Sequence, residues 1–441
     1  MKKRILLLAM LMLTALLFTG CALRTVEEMY ALPRRAEEYS QLQSAIDSAM
    51  VGLTYAAPLS GENQQTVQTA DLDGDGVEEY LIFAADNSSK PLKVLIFAQM
   101  ADGTCRLVET IESNGAAFEQ VEYVQFDERP GCELVIGRQV SDQVLRSVSV
   151  YAYQGGSAEQ LLLIGYSKFL TCDLNKDGRS ELMVLRPGEA ETQRGMAVLY
   201  SSRGGQVERS VETELSKDPS NIRRITQGSL QDGVPAVFVA SSADASAIVT
   251  DIFALRENRF TNIAFSSEAD TSVRTLRNYF VYAEDIDEDG ILELPGLIDM
   301  KPIADWREDD QDFLLRWFSM DVDGREMDKR YTFHNFLDGW YMELNSALAT
   351  RITVDQYNDT YYFNVWDTVY ENASPLYTVY ALTGVDREEE AVKDGRFVLY
   401  RTEAAVYSAK LEQAAEEYEI TEETLIAQFH LIRQDWRTGE T

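Results

Sequence analysis

Residues 71–83 read DLDGDGVEEYLIF, and the pattern returns at 173–185 as DLNKDGRSELMVL and at 285–295 as DIDEDGILELP. Each copy puts oxygen-bearing side chains at loop positions 1, 3 and 5, glycine at 6 and glutamate at 9. The first set is Asp71, Asp73, Asp75, Gly76 and Glu79; the second is Asp173, Asn175, Asp177, Gly178 and Glu181. The third is Asp285, Asp287, Asp289, Gly290 and Glu293. Alternate residues of a tight loop converge on one point, and calcium takes roughly six to eight oxygens at about 2.3–2.6 Å in a forgiving geometry. The backbone carbonyl at position 7, from Val77, Arg179 or Ile291, offers one more. Glycine at position 6 admits the sharp turn. Carboxylates gathered this closely repel one another unless a cation intervenes, so calcium is the expected cofactor. The loop at Asp173 also carries Lys176 and Arg179, which lower its charge and its expected affinity.

An EF-hand opens in the same way but needs a bidentate glutamate at position 12 and a helix on each side. Position 12 is Ile82, Val184 and Gly296 here, and the residues after the first two loops are apolar and strand-like. Helical calcium modules are therefore excluded. Halfway between the intact loops lie two degenerate copies. QFDERPGCELVIG at 125–137 keeps Asp127, Glu133 and the strand; GSLQDGVPAVFV at 228–239 keeps Asp232, Gly233 and the strand. Five units of about fifty residues result, a period typical of repeat architectures. Within a unit the pattern predicts four strands: Thr66–Ala70, Glu79–Ala84, Leu92–Gln99 and Cys105–Ile111 in the first. Four antiparallel strands repeated radially make a β-propeller.

The D-x-D-G-D-G-x-x-E loop followed by an apolar strand resembles the FG-GAP/VCBS repeat of integrin-α-like propellers, over roughly residues 60–335. The resemblance implies a structural calcium ion in each intact loop, and a surface protein used for adhesion or polysaccharide handling. The expected fold is mainly β: a propeller of four-stranded blades, five of them recognisable and six or seven allowed, with a small α+β C-terminal appendage.

The N-terminus reads as an address. Lys2, Lys3 and Arg4 precede an apolar run from Ile5 to Phe18, then Thr19, Gly20 and Cys21, the layout of a secretory signal. Phe18-Thr19-Gly20-Cys21 looks like a lipobox, which implies lipidation at Cys21 and an extracytoplasmic protein anchored to a bacterial membrane. The expected division is a signal peptide at 1–20, a tether at 21–35, the propeller with a docking helix at 36–335 and an α+β region at 336–441. The docking helix is carried by Tyr39, Leu42, Ile46, Ala49 and Met50 at helical spacing. Cys105, Cys132 and Cys172 form no disulfide framework and read as reduced.

With 40 basic and 73 acidic residues the formal charge is −33, which would repel a phosphate backbone and argues against a nucleic-acid partner. Only two histidines exist, His334 and His430. His334 lies in the aromatic strand YTFHN and reads as core; His430 reads as packing or surface. The aromatics Trp340, Tyr341, Tyr357, Tyr361, Tyr362, Phe363, Trp366 and Tyr370 suit strand core better than a sugar platform. No nucleophile elbow, zinc-protease helix, Walker loop or dinucleotide fingerprint occurs. No catalytic residue is assigned. The expected function is a monomeric binding module for a glycan, an envelope component or a partner protein. The alternative is a polysaccharide-active lyase or hydrolase with its site in the propeller funnel.

Overall fold

The computed structural model describes residues 37–140, 145–188, 194–245, 247–300, 312–367 and 372–433. The signal-like segment, the tether and Cys21 lie outside the described residues, as does Tyr370. The chain is mainly β, with six antiparallel sheets that follow one another in propeller-like fashion.

Each of the five sequence units supplies one sheet. Sheet 1 contains Val67–Ala70, Glu79–Ala85, Leu92–Gln99 and Cys105–Ser113, with the short strand Thr54–Tyr55 added at Glu79–Ala85. Sheet 2 runs through Ala117–Val124, Glu133–Gln139, Arg146–Gln154 and Ser157–Tyr166 in simple up-and-down order. Sheet 3 holds Lys168–Cys172, Glu181–Pro187, Gly195–Arg203 and Gln206–Arg209; sheet 4 holds Ile222–Ser229, Pro235–Ser242, Ile248–Arg256 and Arg259–Asn262. Sheet 5 begins at Leu294–Ile298, just after the third intact loop.

These strands are apolar on both faces because each sheet is sandwiched. Leu81, Phe83, Val94 and Ile96 face sheet 2, where Phe83 meets Phe118 edge-on at 5.1 Å. Sheets 2 and 3 share a core around Val148, Val150, Phe169 and Leu182, and sheets 3 and 4 share one around Met183, Leu185, Val237 and Phe253. Phe238 and Ile252 of sheet 4 then pack on Leu294 and Phe318 of sheet 5. Burying one such side chain stabilises by about 1.5–3 kcal/mol, so every sheet depends on its neighbours.

The first strands of sheets 1 to 4 lie side by side. Tyr123 Oη donates to Gln68 Oε1 at 2.7 Å, Thr171 Oγ1 reaches Glu122, and Gln227 Nε2 donates to the Thr171 carbonyl at 2.9 Å. Among the described residues, the opposite face of sheet 1 has no sheet against it. Helix α1 (Glu37–Ala49) lays Leu42 and Ile46 on Ile82, Leu95 and Phe97. Among the described residues no core cluster joins sheet 1 to sheet 5 or sheet 6.

The division expected at residue 335 falls inside sheet 5. Trp340–Leu344 extends that sheet beyond Glu326–Asn335, and the distant strand Phe429–Leu431 completes it. Trp340 stacks on Phe429 at 5.5 Å, which draws the chain end back. Sheet 6, built from Ile352–Tyr357, Thr360–Asp367, Asn372–Leu382, Phe397–Arg401 and Val406–Leu411, shares a core with sheet 5 through Phe333, Trp340, Tyr361 and Phe363. Trp340, Tyr361 and Phe363 are thus interior, whereas Tyr357 and Tyr362 are exposed. Helix α2 (Glu422–Gln428) starts at Thr421, which forms a reciprocal cap with Thr424.

Candidate metal centres

The five loops fall in a row because consecutive loops are stitched backbone to backbone. The position-8 amide donates to the position-1 carbonyl of the loop before it: Cys132 N to Asp71 O at 3.2 Å and Ser180 N to Gln125 O at 2.7 Å. The same bond joins Leu292 N to Ser229 O at 3.0 Å. Pro235 has no amide hydrogen, and there Lys176 Nζ reaches across to the Gly233 carbonyl at 2.7 Å. The pairing of Ala236 with Gly228 matches the pairing of Glu79 with Ala70, so the fourth loop starts at Ser229 and is one residue shorter than the others. Its sequence register at Gly228 is corrected accordingly. Packing between the first two loops is tight: a Cβ on Gly131 would lie 2.3 Å from the Leu72 carbonyl oxygen.

Loop geometry repeats closely. Gly76, Gly178 and Gly290 have φ of 84°, 83° and 83°. Position 4 is also left-handed, at Gly74, Lys176 and Glu288, a requirement that the sequence pattern left unread. Position 1 holds the turn together: Asp71 Oδ2, Asp173 Oδ2 and Asp285 Oδ2 each accept from the position-6 glycine amide at 2.9–3.0 Å. Position 5 caps position 7, with Val77 N, Arg179 N and Ile291 N donating to Asp75, Asp177 and Asp289.

Glutamate at position 9 closes each loop from beneath. Glu79 Oε2 accepts from Leu72 N at 2.9 Å, Glu133 from Phe126 N at 2.7 Å, Glu181 from Leu174 N at 2.8 Å and Glu293 from Ile286 N at 3.1 Å. It opens the second strand with its side chain turned under the loop and is buried in all four copies. Burial pushes the Glu79 carboxyl up to about 6 and those of Glu181 and Glu293 to about 7, with neighbouring loop carboxylates adding to the rise.

The copies differ in what balances this negative charge. In the first loop, ligand oxygens of Asp71, Asp73 and Glu79 all lie within 4.8 Å of one another. Asp285, Asp287 and Asp289 do the same in the third. Asp75 and Glu293 stand outside those groups. In the third loop Lys329 Nζ holds Asp289 at 2.7 Å, yet Asp287 Oδ1 and Glu293 Oε1 are buried with no hydrogen-bond donor. Orphaned buried carboxylate oxygens fit a cation, and an all-oxygen donor set fits a hard one such as calcium.

The second intact loop supplies its own cation. Arg179 Nη2 sits 2.7 Å from Asp177 Oδ2, and the Asn175 amide donates to Glu181 at 2.6 Å. Of the residues expected to hold calcium here (Asp173, Asn175, Asp177, Arg179 and Glu181), the three carboxylates form no such group, and Asn175 brings an amide where the other intact loops have a carboxylate. The degenerate loop at 125–137 goes further. Arg129, at position 5, bonds Asp127 at 2.6 Å over a nearly fully buried Asp127–Glu133 pair. A guanidinium here supplies the positive charge opposite the two buried carboxylates.

Neither histidine joins these centres. His334 is fully buried, burial pushes its ring down to about 3, and it stacks on Tyr341 at 4.9 Å. His430 stacks on the other side of Tyr341 and lies 3.2 Å from Glu343. Cys105, Cys132 and Cys172 form no disulfide. No helix among the described residues is long and apolar enough to cross a membrane.

No protein-family model and no curated protein matches the chain. Among solved structures it is similar to rhamnogalacturonan lyase YesW, with a TM-score of 0.33 and 15% identity over 74% of this chain and 64% of that one. The exotype rhamnogalacturonan lyase YesX gives a TM-score of 0.28 and 13% identity over 75% and 67% of the two chains. A Bacillus licheniformis rhamnogalacturonan lyase gives 0.27 and 15% over 73% and 72%. Likeness this distant assigns no activity.

Proposed function

We propose that the protein is a calcium-stiffened recognition module of the FG-GAP/VCBS kind, held outside the cytoplasm by lipid on Cys21, that binds a glycan of the cell envelope. Calcium would sit in the first and third intact loops, while Arg129 and Arg179 serve two of the three loops between them. The metal would hold neighbouring sheets in place, and recognition would occur elsewhere.

One observation carries the choice of ligand. Where the first strands of sheets 2, 3 and 4 meet, a cleft of about 430 Å³ is lined by Asn63, Gln120, Glu122, Tyr123, Thr171 and Gln227. Amides and hydroxyls of this kind donate and accept in both directions, which matches the hydroxyl groups of a sugar. Rigid strands hold them: Glu122 is bridged by Gln120 on its own strand and Thr171 on the next. A glycan array on the lipid-free chain, followed by titration of any hit, tests the reading. Gln120→Ala and Gln227→Ala should each weaken binding about tenfold; unchanged affinity in both would remove the cleft from the function.

A second reading is favoured by one feature of the same cleft, the presence of two carboxylates, Glu62 and Glu122. Glycoside cleavage commonly uses a carboxyl pair. On that reading the chain releases new chain ends from a bound polysaccharide, and Glu122→Gln abolishes the release while leaving binding intact.

A further inference from the structure

Arg138, like Arg277, is a buried arginine that no described carboxylate meets; Arg277 spends donors on the Val281 and Thr275 carbonyls and on Thr250, whereas Arg138 opens on a cleft. Arg138 ends an apolar row on the second strand of sheet 2, after Leu134 and Ile136, on the face turned toward sheet 1. Only 5% of the residue is exposed. Its Nη2 donates to Ser149 Oγ at 2.7 Å, and its buried Nε has no partner. Glu112, which lines the same cleft, and Glu119 on the neighbouring strand are already engaged. Glu112 is taken by Lys93 at 2.7 Å, and Glu119 by Arg146 at 2.9 Å and the Tyr166 hydroxyl at 2.7 Å. Among the described residues no carboxylate pairs with Arg138.

A buried guanidinium whose described partners include no carboxylate is costly, because one hydroxyl offsets only part of the desolvation of its charge. The group lines a cleft of about 450 Å³ between sheets 1 and 2, together with Lys90, Asn114, Ser147 and Gln160. Lys90 adds an exposed positive charge at the rim, and the others bring amide and hydroxyl groups. A planar guanidinium matches an oxyanion bidentately.

We infer that this cleft is a binding subsite for a singly charged oxyanion carried on a hydroxyl-rich ligand, with Arg138 as its counter-ion. Uronate sugars and phosphodiester-linked polyols share that chemistry. One charge suits one buried guanidinium, since a dianion would bring excess negative charge into an acidic body. The subsite shares no residue with the first-strand cleft, so it stands independently of the ligand proposed there.

Calorimetric titration of the full chain with three probes tests it: a uronate trisaccharide, its methyl ester and a glycerol phosphodiester oligomer. The expected result is that at least one charged probe binds ten or more times tighter than the neutral ester, and the tighter of the two identifies the source. Arg138→Met should erase that preference without lowering the melting temperature, because an apolar side chain of similar length replaces a charge that is only partly offset. Lys90→Gln, at the exposed rim, should weaken the charged probe a few-fold. Should Arg138→Met fail to fold, the comparison of ester with acid on the unaltered chain decides alone. Equal binding of charged and neutral probes, or a preference that survives in Arg138→Met, overturns the inference.

Discussion

Calcium removal should cost this protein two sites and no more. In the third loop the carboxylates of Asp285, Asp287 and Asp289 come within 4.8 Å of one another. At that separation two unit charges repel by about 3.5 kcal/mol at an effective dielectric of 20, and by about 1 kcal/mol in bulk water. A cation removes this repulsion, and a site held at 100 times its dissociation constant adds about 2.7 kcal/mol to stability. Two such sites add about 5 kcal/mol, enough to move a cooperative melting transition on the order of 10 °C. Calorimetric titration should count two calcium ions per chain, and thermal unfolding with and without chelator should show the shift. Asp71→Asn and Asp285→Asn should each abolish one site. Asp177→Asn should abolish none, since Arg179 already neutralises its loop. A third site of equal affinity at Asp173, or identical melting with chelator, would refute the reasoning.

Three further outcomes are expected. Arg129→Met leaves Asp127 and Glu133 buried without a counter-charge and should cost about 3–5 kcal/mol in denaturant unfolding; a loss under about 1 kcal/mol would show that the pair shares a proton and needs no arginine. Ile46→Ala should cost about 2–5 kcal/mol at the α1 contact, read as faster amide exchange in Leu92–Gln99, and unchanged exchange there would mean that the helix contributes nothing to sheet 1. Cys21→Ser should move the protein from the membrane to the soluble fraction and end incorporation of labelled fatty acid; persistent membrane association would point to another anchor.

Much of the fold could be read in advance because the loop motif and the strand alternation are both local. Glu79–Ala85 and Leu92–Gln99 are nearly as expected, as is the left-handed glycine at position 6. What escaped was decided by reach across space. Spacing placed Glu79, Glu181 and Glu293 at position 9 but did not show the strand-opening geometry that turns each one under its loop to meet a backbone amide. Arg129 drew no notice because a sequence shows which side chain is present, not the charge that it neutralises. The fourth loop was aligned on Asp232 and Gly233, while its true start is set by the strand pairing of Ala236 with Gly228. The return of Phe429–Leu431 to sheet 5 spans nearly ninety residues and leaves no local trace.

The helix lying against the outer side of sheet 1 has an evolutionary reading. A ring tolerates only certain numbers of segments, since each must meet two others and the last must find the first. Among the described residues sheet 1 meets a helix on its outer side, and a layer closed off in that way answers only to the neighbour on its other face. Gene duplication could lengthen such a chain, or deletion shorten it, without forcing the remaining layers into new angles. Homologues should accordingly vary in how many layers they carry while keeping that helix.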